Sequence, residues 1–99
     1  MEIKINAVRF DADKKLVAFI QKKVDKLDLF FDGIVLSEVF LRLENVQDEE
    51  NKVVEIRLSI PGNDLFVKKQ AKTFEEAVIQ SVETLSRQLN RYKEKLRGA

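Results

Sequence analysis

Arg87, Arg91, Lys93 and Lys95 crowd one short stretch near the end of this chain, with Glu94 the only acid among them. Lys22, Lys23 and Lys26 form a second cluster near the start. Guanidinium and ammonium groups at such spacing suit phosphate contacts: arginine forks two oxygens and lysine acts as a point charge. Acid–base, nucleophilic and metal chemistry have little to work with. The 99 residues contain neither His nor Cys. The usual general base near neutral pH, the commonest metal ligand, thiolate sites and disulfides are therefore excluded.

The bases must be positioned by helices. From Thr73 to Arg97, apolar residues fall at Phe74, Ala77, Val78, Val82, Leu85, Leu89, Tyr92 and Leu96, a single helical stripe. Thr73-Phe74-Glu75-Glu76 opens it as a capping box. Acids at the start of a helix and bases at its end complement the helix dipole. That accounts for the last turn but not for Arg87 and Arg91, which lie earlier and four apart. Lys14 to Leu27 carries a second stripe, Leu16, Phe19, Ile20, Val24 and Leu27, with Asp13 as N-cap. Its exposed line holds Lys15, Lys22, Lys23 and Lys26. Lysines there are ordinary solvation when this helix is taken alone.

Four alternating segments read as strands: Glu2 to Phe10, Ile34 to Glu44, Val53 to Ile60 and Leu65 to Lys72. In the second, Val39, Leu41 and Leu43 share a face; in the third, Val54, Ile56, Leu58 and Ile60 do. Pro61-Gly62-Asn63-Asp64 is a turn, and Phe30-Phe31 caps the core just past the first helix. Asp48-Glu49-Glu50-Asn51 lacks the Asp-x-Asp-x-Asp-Gly framework of a calcium loop and reads as a solvated connection. The order β-α-β-β-β-α predicts an α+β fold over residues 1–99 as one domain. It is a two-layer sandwich of a four-stranded mixed sheet with both helices on one face. The opposite face is mostly polar, with Phe40 and Phe66 as its apolar exceptions.

The net charge of +1 conceals a strong asymmetry. Residues 14–28 hold five lysines against two aspartates, and residues 84–99 hold five bases against one glutamate. Residues 32–64 hold eight acids against three bases. Helices sharing one layer bring the two basic rows side by side, where they are expected to merge into one continuous patch, a repulsive arrangement that suits a polyanion partner. Lys22, Lys23, Lys26, Arg87, Arg91, Lys93 and Lys95 are the expected RNA-binding residues. No helix-turn-helix, zinc site or RNP aromatic motif is present. Met1-Glu2-Ile3-Lys4 is not the start of a signal peptide, and no stretch reaches the ~18 apolar residues of a membrane span. A cytoplasmic protein with no cofactor, no small-molecule substrate and no membrane partner is expected.

Two stretches give a more specific expectation. Lys23-Val24-Asp25-Lys26-Leu27-Asp28-Leu29-Phe30-Phe31-Asp32 and Leu85-Ser86-Arg87-Gln88-Leu89-Asn90-Arg91-Tyr92-Lys93-Glu94-Lys95-Leu96 resemble the ends of the two helices in the ribosome hibernation promoting factor family, also called ribosome-associated inhibitors. The resemblance spans nearly the whole chain and corresponds to the short form. It implies a fold similar to double-stranded RNA-binding layers. It also implies binding to the small ribosomal subunit and its rRNA, in the channel used by messenger RNA and tRNA, with translation blocked. The chain departs from the family pattern at Thr84, where a Lys is common, and at Glu75, where an aromatic is. A monomer off the ribosome is expected. The competing readings are a free double-stranded RNA binder, opposed by Glu75 and Glu76 at the start of the last helix, and a protein-interaction module using the sheet face around Phe40 and Phe66.

Overall fold

The computed structural model describes residues 1–44 and 49–98. Its elements follow the expected order: β1 (Glu2–Ala7), α1 (Lys14–Asp25), a 3₁₀ turn (Lys26–Leu29), β2 (Leu36–Leu43), β3 (Lys52–Ile60), β4 (Asn63–Ala71) and α2 (Phe74–Gly98). The sheet order is β1-β2-β3-β4. β1 runs parallel to β2, and the β2–β3 and β3–β4 pairs are antiparallel.

The register explains the two faces. Ile5, Val39, Ile56 and Val67 align across the sheet, as do Ile3, Ser37, Leu58 and Leu65. These rows face the helices and join Ile20, Val24 and Leu27 of the α1 region and Ala77, Val78, Leu85 and Leu89 of α2 in one core. The opposite face carries Lys4, Glu38, Arg57 and Phe66 in one row and Asn6, Phe40, Glu55 and Lys68 in the next. Phe66 is 52% exposed there, while Arg42 is ion-paired with Glu55.

Both helix starts are capped by side chains. The Leu16 amide donates to Asp13 Oδ1 at 2.8 Å, and the Glu76 amide donates to Thr73 Oγ1 at 3.1 Å. Replacing Asp13 with Ala leaves an amide of the first turn without its acceptor. A loss of about 1 kcal/mol in urea unfolding followed by circular dichroism is expected.

Several boundaries and one exposure differ from the sequence expectation. β2 begins at Leu36, not Ile34, and β4 begins at Asn63, so the expected turn over 61–64 shortens to Pro61 and Gly62. β1 stops at Ala7 instead of reaching Phe10, because Arg9 takes a left-handed backbone (φ 65°) that no strand accommodates. α1 ends at Asp25, so Lys26 lies in the 3₁₀ turn. Leu43 shares a sheet face with Val39 and Leu41 but is 53% exposed, since it sits at the strand's end. Asp48, the first residue of the acidic stretch Asp48-Glu49-Glu50-Asn51, lies outside the described residues.

Candidate nucleic-acid interface

α1 and α2 run side by side in the same direction. Phe10, just before α1, stacks on Phe74 at the start of α2, with ring centroids 5.4 Å apart. Beyond the 3₁₀ turn, Phe31 meets Tyr92 edge-on at 5.7 Å. The Tyr92 hydroxyl donates to the Pro61 carbonyl at 3.1 Å, tying the same point of α2 to the β3–β4 turn. Two aromatic contacts therefore fix the helices at either end, and the bases lie between and beyond them.

Lys23 and Lys26 reach the flank of α2 that carries Ile79, Val82, Glu83 and Ser86, and they line a groove of about 280 Å³ with those residues and Phe30. The Lys23 ammonium lies 5.6 Å from the Phe19 ring centroid, so its stem packs on the helix surface while its charge stays at the rim. Ser86 donates to the Glu83 carbonyl at 2.8 Å and is held within its own helix. Lys22 is exposed on the outer side of α1.

The α2 bases divide between two flanks. Lys93 lies on the side facing α1, seven residues after Ser86, and lines a second crevice with Phe30, Asp32 and Arg97. Arg87, Arg91 and Lys95 continue the i, i+4 ridge of Ile79 and Glu83 and drift by about 40° at each step away from the groove, so Arg87 lies near the crest of α2 and Arg91 and Lys95 lie on the other flank. Arg87 Nη2 donates to Thr84 Oγ1 at 3.4 Å. Because α1 packs on β1 and α2 on β3 and β4, this second flank overlooks the β4 edge. Glu83, on the groove side, separates Lys23 and Lys26 from Arg87.

The structure thus gathers Lys23, Lys26 and Lys93 around Phe30, and it keeps Arg87, Arg91 and Lys95 on a separate line along α2. It also adds Arg97, absent from the sequence-based set, beside Lys93. The signal was present in the sequence, since the two are four residues apart and so share a helix face.

Residues 3–97 match a family described as Sigma 54 modulation protein / S30EA ribosomal protein. A ribosome hibernation promoting factor from Pseudomonas putida is 25% identical over 95 residues, covering 96% of this chain and 89% of that one. Another from Klebsiella oxytoca is 24% identical over 97 residues, 98% of each chain. Among solved structures, the Thermus thermophilus Protein Y N-terminal domain superposes with a TM-score of 0.81 at 24% identity, over 93% of this chain and 99% of that one. A ribosomal subunit interface protein from Coxiella burnetii superposes with a TM-score of 0.83 at 19% identity, over 94% and 98%. At these identities the structural likeness speaks to the fold.

Proposed function

We propose, since the chain belongs to the Sigma 54 modulation protein / S30EA ribosomal protein family, that it is a ribosome hibernation factor. It binds the small ribosomal subunit and its rRNA through the basic helical layer and occupies the channel of messenger RNA and tRNA. Translation is inhibited by occlusion, without catalysis. One observation carries the reading: α1 and α2 lie on the same face of the sheet with Lys22, Lys23, Lys26, Arg87, Arg91, Lys93 and Lys95 on their outer sides and flanks. Such bases supply phosphate contacts that set affinity and orientation. Glu75 and Glu76 are exposed in the first turn of α2, where a clamp on free duplex RNA would need cations.

Gradient sedimentation with separated subunits tests this reading. Co-migration with small subunits and whole ribosomes, but not with large subunits, is the expected result. A large excess of plain duplex RNA leaves it intact. With seven phosphate contacts, the slope of log K against log salt is about −5 to −6. Association with large subunits alone, or full displacement by duplex RNA, would overturn the assignment.

A further inference from the structure

Where the 3₁₀ turn meets the last turns of α2, the surface opens into a crevice of about 350 Å³, within the ~300–1,000 Å³ range of small-ligand clefts. Its walls are apolar: Leu29, Phe30 and Leu96. Leu29 is 82% exposed and Leu96 59%. Singly exposed leucines need no explanation, but these two line one recess together with the aromatic side chains of Phe30 and Phe31. The rim is charged. Lys93 and Arg97 stand one turn apart on α2, and Asp32 comes from the segment after the turn. Among the described residues, Asp32 is ion-paired with neither.

This combination is selective. It favours a group that is flat and apolar on its faces, carries N–H donors on its edge, and is joined directly to anions. An unstacked nucleobase in an RNA strand has those properties. Its faces pack on Phe30 and the leucines, an exocyclic amine donates to the Asp32 carboxylate, and the adjoining phosphates meet Lys93 and Arg97. An acidic peptide would satisfy the cations but would set its own carboxylates beside Asp32.

We propose that this crevice is a base subsite, taking one unpaired nucleobase that bears an amino group. The proposal rests on the RNA-binding reading above and adds to it a contact that is not electrostatic. Oligocytidylate and oligouridylate of equal length test it, because they carry equal phosphate charge and differ at the edge that Asp32 would read: cytosine offers its N4 amine, whereas uracil's N3–H is flanked by two carbonyl oxygens that a carboxylate repels. Fluorescence anisotropy should show the wild-type chain binding the cytidylate roughly tenfold more tightly, at the low end of what hydrogen bonding to a base edge discriminates. Leu29→Ser with Leu96→Ser alters two exposed side chains and no charge. That variant should lose the preference and roughly tenfold in affinity, with an unchanged salt slope. Asp32→Asn should narrow the preference alone.

Equal affinity of the wild type for both oligomers, or of wild type and double-serine variant for each, would overturn the subsite. Small-subunit sedimentation run in parallel separates the two readings. A wild type that sediments normally but shows no base preference loses the subsite and keeps the ribosome assignment, whereas a wild type that fails to sediment loses the assignment itself. Loss of sedimentation by the double-serine variant with unchanged oligomer binding would assign the crevice to a ribosomal protein and would likewise overturn the base subsite.

Discussion

A chain carrying Lys23→Glu, Lys26→Glu, Arg87→Glu and Arg91→Glu should fail to sediment with small ribosomal subunits while its circular dichroism stays that of the wild type. Four cationic contacts at about 1 kcal/mol each, the upper end for exposed ion pairs, amount to a loss of roughly a thousandfold. The four introduced carboxylates add repulsion to that figure. The fold tolerates the change because Lys26, Arg87 and Arg91 are exposed and Lys23 is only half-buried. Lys23 gives up its contact with the Phe19 ring, worth about 0.5–1 kcal/mol, and Arg87 gives up a long bond to Thr84. Unaltered ribosome binding by the quadruple variant would remove the basis for the proposed function.

The same variant divides into an experiment on shape. Lys23 and Lys26 line the inter-helix groove, and Arg87 and Arg91 lie beyond Glu83 along the ridge that leads away from it over α2. RNA that wraps over α2 and touches both flanks loses about thirtyfold with either pair of substitutions, half of the full effect on a logarithmic scale. RNA lying in the groove alone responds to Lys23→Glu/Lys26→Glu and ignores the other pair. Comparing the two double variants in one salt series therefore maps the footprint across the helical layer.

This division of charge was the part of the site that the sequence concealed. The helical stripe from Phe74 onward was legible because burial on a single sheet forces the 3.6-residue period, and the caps were legible because Asp13 and Thr73 have a local job. Strand faces were legible for the same reason, since the period of two is enforced wherever helices cover the sheet. The direction in which a base points depends on a different quantity: the rotation of α2 about its axis relative to α1. That rotation is set by packing among Ile20, Val24, Leu85, Leu89 and their sheet partners, which no local pattern reports. Arg9 and Leu43 failed to follow their alternation for related reasons, one at a left-handed backbone position and the other where a strand ends. Leu96 fits the apolar stripe perfectly and is mostly exposed, because the stripe continues after the core beneath it has ended.

Leu89→Ala is expected to destabilise the domain by about 3 kcal/mol, within the 2–5 kcal/mol usual for such truncations, against a total stability of about 5–15 kcal/mol. Leu89 is fully buried, and it is the last residue of α2 to be so. Past it, the helix is held by the half-buried Tyr92 through its contacts with Phe31 and the Pro61 carbonyl. The cavity left by Leu89→Ala therefore opens at the point where the free end of α2 is anchored. At this chain length each kcal/mol shifts Tm by about 4–8 °C, so the midpoint falls by roughly 12–24 °C. Leu96→Ala, about two turns further on and identical in chemistry, should change stability by less than about 0.5 kcal/mol, because most of that side chain is in water in the folded state. Urea titrations with equal m-values for the three proteins would show that the difference lies in the folded state's packing. Since Arg91, Lys93 and Lys95 all follow Leu89, its truncation should also weaken ribosome binding at temperatures where the domain remains folded. Leu89→Met, which nearly preserves volume, should recover most of both losses. A Leu89→Ala chain as stable as Leu96→Ala would mean that α2 is not seated on the sheet through this residue.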